Sequence, residues 1–388
     1  MKRKNKIFIS LIMLVVLCFS SCYDYNDIEE EAIVAGIAFD PTDIGYNASV
    51  ELITSPSTDS DTEIKPKIAE AQGQTLYEAI QNVLKMSSKR LDFGHCKVVF
   101  ISEKMARTGI QPVLDLIFHN NDIRLSVDIV VVKSDYAADI FTAKPIMANI
   151  VSYQVNKTLA SNTKFLSYAP RGYAYKCLNV LNSIGDELVL PVFEIEEVED
   201  GTTFKLDGIA LFKSDKLRGY LLCEESKKYM VVTDQINSGV IPFVFENEEA
   251  TTSDGYVRLS PEIVKMNLKT KVTNDEELKI ELNIKFELKL SETPNGINID
   301  TEESRNKLEE YLAEAINNDL EEFIINVQKD YNSDIFGFGN IIYHKKPELW
   351  SEISENWDTK FKELIVRVNS SVKVKSSGIS EKNIRNGI

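Results

Sequence analysis

From Leu278 to Leu290 the chain alternates without a break. Leu278, Ile280, Leu282, Ile284, Phe286, Leu288 and Leu290 are apolar, and the residues between them are Lys, Glu or Asn. Successive side chains of a strand point to opposite faces. This period therefore predicts one long strand with one face in a core and the other in water, as in a half-buried antiparallel sheet. Beyond it the period changes. From Glu302 to Lys329 the residues Leu308, Tyr311, Leu312, Ala315, Ile316, Leu320, Phe323, Ile324 and Val327 recur at helical spacing. They predict one helix about 42 Å long with a single apolar stripe. Leu364, Val366 and Val368, then Val372 and Val374, predict a closing strand. This end of the chain reads as α+β, a long helix laid across an antiparallel sheet.

The first half reads differently. Apolar runs at Ile33–Phe39, Ala48–Ile53, Lys97–Ile101 and Leu125–Val132 predict strands. Between them Leu76, Ala79, Ile80, Val83 and Leu84 have helical spacing. Met105, Val113, Leu116 and Ile117 follow a capping Ser102, and Ser134 or Asp135 opens a further helix. Strand alternating with helix is the α/β pattern, with a parallel or mixed sheet. Thr54–Lys67 is polar, carries two prolines and predicts an exposed loop. Glu194–Asp200 is acidic and precedes Gly201, which suggests a boundary; shorter strands follow at Phe204–Phe212, Tyr220–Cys223 and Tyr229–Thr233. The chain is thus expected to be multidomain, an α/β domain over 22–198 and an α+β region over 199–378. The alternative divides the latter into 199–258 and 259–378. Residues 379–388 are polar and expected to form a mobile tail.

The N-terminus reads as an address. Lys2, Arg3, Lys4 and Lys6 precede an uncharged apolar run of 13 residues, Ile7–Phe19. As a helix that run spans about 20 Å, short of a hydrocarbon core of about 30 Å, so it fits a signal peptide rather than a permanent span. Ser20, Ser21 and Cys22 follow and resemble a bacterial lipobox, with Phe19 where leucine is usual. The expectation is a signal peptide over 1–21 and acylation of Cys22. No second long apolar run occurs, so no polytopic membrane core is expected.

Charge narrows the function classes. The chain has 388 residues and a net charge of −16, from 44 Lys and Arg against 60 Asp and Glu. Nucleic-acid binding needs clustered cations, so no nucleic-acid partner is expected. An acidic chain is also repelled by anionic lipid, so membrane association needs an acyl anchor. Loss of residues 1–21 removes four basic and no acidic residues, leaving −20. Such a body is expected to stand off an anionic membrane.

Chemistry-bearing residues are sparse. After Cys18 leaves and Cys22 is acylated, Cys96, Cys177 and Cys223 remain, odd in number and widely spaced. This is neither a disulfide framework nor a metal pattern, and Cys96 and Cys223 in apolar, strand-like contexts read as buried free thiols. His95, His119 and His344 lie far apart, and His95 reads as a satisfied structural histidine. Nucleotide, hydrolase and zinc-protease motifs are missing, and no cofactor is called for. Glu29, Glu30 and Glu31 read as a solvated stretch rather than a cation site. Gly337 and Gly339 read as a tight turn after a helix, with Phe336 and Phe338 packed inward. Trp350, Trp357 and Phe361, seven and four apart, read as one apolar helix face.

The order of these elements resembles the Ger(x)C spore germination lipoproteins along nearly the whole mature chain. Tyr23 and Asp24 stand where the family has tryptophan and aspartate after the lipid cysteine, and Gly36 and Asp40 match its first strand. Gly73–Ala79 leads to Leu91–Val98, similar to the family's glycine-histidine-x-lysine strand start, with Cys96 where leucine is usual. Asp207–Lys213 with Leu217–Tyr220 resembles its glycine-marked strand pair. The strongest match is Asp334–Gly339, then Tyr343, Pro347–Trp350, Trp357 and Phe361. The resemblance implies a non-enzymatic C subunit of a GerA-type germinant receptor. Its partners would be membrane-embedded A and B subunits, and its place the outer face of the spore inner membrane. The rival expectation is a solute-binding lipoprotein of an ABC transporter, which calls for two similar lobes. A surface-anchored hydrolase would need a catalytic constellation that the residues do not supply.

Overall fold

The computed structural model describes residues 31–53, 66–199, 201–246, 256–290 and 301–375. The signal segment, Cys22, Glu29, Glu30, most of the Thr54–Lys67 loop and the 379–388 tail lie outside them.

Fourteen strands form three sheets among the described residues. The largest contains β1 (Glu31–Thr42), β2 (Gly45–Ile53), β3 (Pro66–Gly73), β4 (Arg90–Asp92), β5 (Val98–Ser102), β6 (Asp128–Val132), β7 (Val189–Val198), β8 (Gly201–Lys213) and β9 (Lys216–Leu222). Its order is β3-β2-β1-β5-β6-β7-β8-β9, with β4 also paired to β1. The centre, β1-β5-β6-β7, is parallel, and an antiparallel set flanks it on each side. The mixed sheet expected from sequence is therefore present.

Helices cover both faces of that centre. α1 (Leu76–Met86), α2 (Glu103–Thr108), α3 (Gln111–His119) and α5 (Ala174–Leu181) pack on the face of Ile37, Val99 and Val131. A 3-10 turn (Ala137–Thr142) and α4 (Val151–Phe165) pack on the face of Ala38, Phe100 and Val130. Local chemistry starts these helices where the chain leaves a strand. The Thr75 hydroxyl accepts the Glu78 N–H (3.1 Å), while the Glu78 carboxylate reaches back to the Gln74 N–H (2.9 Å). Ser102 caps α2 through the Met105 N–H. A distant carboxylate starts α4: Glu51 on β2 accepts from the Val151 and Ser152 N–H groups and the Ser152 hydroxyl, at 2.8, 2.9 and 2.5 Å. Gly36 admits that helix, because a Cβ there would stand 2.0 Å from the Ser152 hydroxyl oxygen.

The sheet does not stop at the boundary expected near residue 199. That position is the tip of the β7–β8 hairpin, and β8 and β9 extend the same sheet. The acidic run marks a solvated turn there, not a linker. The strand expected over Tyr229–Thr233 is also corrected: these residues end or follow α6 (Cys223–Val232). Tyr229, Met230, Val231 and Val232 are all buried in α6, so their short apolar run carries no helical period to read.

A small sheet pairs β10 (Phe243–Glu246) with β11 (Tyr256–Leu259). The third sheet joins β12 (Pro261–Asn274), β13 (Leu278–Leu290) and β14 (Ile365–Lys375). β12, a strand not expected from the sequence, pairs antiparallel with β13, whereas the expected closing strand β14 runs parallel to β13. The correction has a topological cause. α7 (Glu302–Asp330) returns the chain to the starting end of β13 before β14 begins, as a crossover must. α7 packs its stripe from Leu308 to Val327 on the apolar face of this sheet. It also covers the outer edge of β14: Glu321, Asn317 and Glu309 each accept one of the Val368, Ser370 and Val374 N–H groups at 2.8 Å. Three short helices, α8 (Phe338–Lys345), α9 (Pro347–Ile353) and α10 (Trp357–Glu363), close the core.

Candidate functional site at the junction of the two large sheets

The turn Ser333–Gly337 leaves α7 and starts α8. Gly337 thus caps a helix and Gly339 lies in its first turn, which corrects the reading of a turn that only follows a helix. Gly337 has φ of +66°, a left-handed conformation that glycine adopts without strain, and Phe336 and Phe338 are buried and stacked at 5.1 Å, as expected. Asp334 is 2% exposed. Its carboxylate accepts the Phe338 N–H (3.0 Å), the Gly339 N–H (2.8 Å) and the Trp357 indole N–H (3.1 Å). A carboxylate at the first turn of α8 satisfies N–H groups that have no partner within the helix. The loop is therefore occupied by the chain's own carboxyl group.

This turn fastens the second core to the first sheet. The Glu187 N–H donates to the Asp334 carbonyl (3.2 Å), the Asn340 N–H to the Gly185 carbonyl (2.9 Å) and the Asn340 amide to the Ile184 carbonyl (3.1 Å). The Ser333 hydroxyl donates to the Phe212 carbonyl on β8. Asp186 stands against the same turn. Burial pushes its carboxyl up to about 6, and the neighbouring Glu187 charge adds to the rise. Burial likewise pushes Asp334 up to about 7 against its three donors, with Asp186 adding repulsion. Neither carboxylate forms an ion pair among the described residues. Asp186 borders two clefts. One of about 520 Å³ is walled by Arg171, Lys176, Tyr229, Gln235 and Phe336. The other, about 320 Å³, is walled by Asp215, Asp334, Trp350 and Trp357. The arrangement can hold protons near neutral pH. It presents no nucleophile paired with a base.

The remaining residues singled out in the sequence do not converge on this place. His95 is exposed in the turn before β5, which corrects the expectation of a satisfied structural histidine. His119 contacts the Asp115 carbonyl (2.8 Å), and His344 packs against Tyr343. No group of three or more His, Cys, Asp or Glu side chains placed for a metal occurs among the described residues. Cys96 and Cys177 are buried free thiols, pushed up to about 12 by burial. Cys223 is free but only half-buried, at the first position of α6 rather than in a strand. Trp350 and Trp357 pack edge to face at 5.3 Å, with Phe361 6.1 Å from Trp357. They lie on α9 and α10, separated by a 3-10 turn, not on one helix. Sequence reasoning passed over Asp334 and Asp186. For Asp334 the available signal was an aspartate four residues before the helix start, within reach of the N–H groups of its first turn.

Two family models match the chain in succession. One described as "Spore germination protein N-terminal domain" covers residues 24–195, and one described as "Spore germination B3/ GerAC like, C-terminal" covers 207–378. The chain belongs to the Ger(x)C family. Spore germination protein B3 of Bacillus subtilis (strain 168) is 24% identical over 97% of this chain and 99% of its own length. Spore germination protein KC of the same organism is 24% identical over 97% and 96%, and GerQC of Bacillus cereus is 24% identical over 82% and 85%. The crystal structure of the GerBC protein shares the fold, with a TM-score of 0.54 and 22% identity over 90% of this chain and 99% of that one. The division between the Ger(x)C models falls at the β7–β8 hairpin, inside the nine-stranded sheet. The stretch that carries the strongest family resemblance, Asp334–Gly339, is the junction turn itself.

Proposed function

We propose that this chain is the non-enzymatic C subunit of a spore nutrient-germinant receptor. Acylated Cys22 anchors it at the outer face of the spore inner membrane, where it works with membrane-embedded A and B subunits. The observation that carries this reading is the match of both family models, in order, across both halves of the chain. The curated relatives of near-equal length are spore germination proteins. Among the described residues no helix is long and apolar enough to cross a membrane, which is consistent with attachment through Cys22. The role is one of binding and positioning: the junction residues hold two sheets together, and no reacting constellation accompanies them.

The solute-binding alternative is disfavoured by the architecture. Two similar α/β lobes would be required, whereas a nine-stranded mixed sheet here faces a three-stranded one. The test is germinant-triggered dipicolinic acid release. Spores lacking the chain should lose the response to at least one nutrient, and Cys22→Ala should restore it poorly. Normal release to every nutrient in the deletion strain would contradict the proposal.

A further inference from the structure

β5 and β6 begin at one edge of the large sheet, in register with Gly36 of β1, whose first five residues run on past that line beside β4. The N-terminal chain arrives at that same edge, where Glu31 pairs beside Arg90 of β4. Resting on the reading that Cys22 is acylated, we propose that this edge is a lipid-contacting surface that lies on an anionic bilayer.

Eight residues, and so nine Cα-to-Cα steps, separate Cys22 from Glu31. Fully extended they span at most about 30 Å. This edge is therefore the part of the first sheet held nearest the acyl chains.

Arg90, Arg124 and Lys176 are exposed on this edge and form no ion pair among the described residues. Beside them Leu125 is 43% and Tyr175 40% exposed. The Tyr175 N–H donates to the Leu125 carbonyl (3.1 Å), and its ring stacks on Tyr173 at 5.6 Å. The Lys176 ammonium stands 5.7 Å from the Tyr173 ring centre. Tyrosines with neighbouring cations at the level of phosphate headgroups are the usual composition of a protein surface seated in a membrane interface. Of the nearby carboxylates, Asp128 is neutralised by Arg171, Asp92 accepts the Gly94 N–H (2.8 Å), Asp122 is exposed next to Arg124, and Glu31 lies beside Arg90.

At the opposite edge the β7–β8 tip exposes Glu196, Glu197 and Glu199. A chain of net charge −20 after loss of residues 1–21 thus turns a cationic, tyrosine-bearing edge toward its anchor and an acidic edge away from it. Net charge alone predicts that the body stands off the membrane. The local distribution predicts contact.

The test places the full acylated chain on phosphatidylcholine vesicles and on vesicles with one quarter phosphatidylglycerol. Flotation with the neutral vesicles reads the anchor alone. Amide hydrogen exchange over 120–126 and 173–176 reads the edge. The Arg124, Leu125 and Ser126 N–H groups, which carry no hydrogen bond among the described residues, report most directly. Exchange there should slow several-fold on the anionic vesicles only. The slowing should disappear in 0.5 M salt and in the triple variant Arg90→Glu, Arg124→Glu, Lys176→Glu, which stays afloat. Equal exchange on both vesicle types would overturn the surface and leave the anchor standing. Slowing on anionic vesicles by a chain that does not float on neutral ones would uphold the surface and overturn the anchor. Neither flotation nor slowing would overturn both.

Discussion

The two large sheets solve the same burial problem in opposite ways. In the nine-stranded sheet Val98, Val99, Phe100 and Ile101 are all fully buried, because helices lie on both faces of the parallel centre. In the three-stranded sheet only alternate residues of β13 are buried, because α7 covers one face and water the other. A strand covered on both faces is apolar except where a partner satisfies the polar group, as Arg171 does for Asp128. A strand covered on one face requires polar residues at every second position.

That contrast is open to direct attack. The largest effect should come from Phe100→Ala, which empties a site wholly enclosed between β5 and the 3-10 turn, where Phe100 meets Phe141 edge to face at 5.5 Å. A loss of about 3–5 kcal/mol is expected from urea unfolding. Its neighbour Val99, on the opposite face, should also cost roughly 1–3 kcal/mol when cut to alanine.

Next comes the cap that joins the two faces. Glu51→Ala strips the acceptor from two N–H groups and a hydroxyl at the start of α4. Stability should fall by about 1–3 kcal/mol, with faster exchange of the Val151 and Ser152 amides. Unchanged exchange there would show that water replaces the carboxylate and that α4 does not depend on the sheet for its start.

The third effect lies at the junction and depends on pH. Burial raises Asp334 to about 7 and Asp186 to about 6, so the folded chain retains protons that the unfolded chain has released. Their contribution is complete below about pH 4 and declines as pH rises through 6 and 7, by at most about 1.4 kcal/mol per unit for each group. Thermal unfolding between pH 5 and 8 should show this decline, and Asp334→Asn should flatten it. An unaltered slope in the variant would assign the pH dependence elsewhere.

The smallest effect sharpens the comparison most. Lys285→Ala, on the open face of β13, should cost less than about 0.5 kcal/mol, although Ile284 and Phe286 on either side are 1% exposed. A loss as large as that of Val99→Ala would mean that something covers this face.

The same contrast explains what the sequence revealed. Alternation in β13 and the stripe of α7 were legible because each element is half-buried. β5 and β6 were legible from their short apolar runs, Val98–Ile101 and Ile129–Val132. α4 was hidden because its buried face carries Ser152, Gln154 and Asn162, polar residues that tertiary partners satisfy. β12 was hidden because the register shift between Ile263 and Lys265 moves its alternation out of phase, leaving Met266, Leu268, Thr270 and Val272 on the covered side. At the site, the Gly337 turn and its inward phenylalanines were readable from residue type. Asp334 and Asp186 were not, because their character comes from burial and from each other, and they are 148 positions apart in sequence.

The central claim is membership in a membrane receptor, and its most direct test is to ask what the chain holds. A tagged chain should be recovered from detergent-solubilised spore inner membranes and its bound proteins weighed by mass spectrometry. The account predicts two membrane-embedded germinant-receptor subunits, retained by the wild type and reduced in Cys22→Ala. Recovery of the chain alone, or with the permease of an ABC transporter, would contradict it.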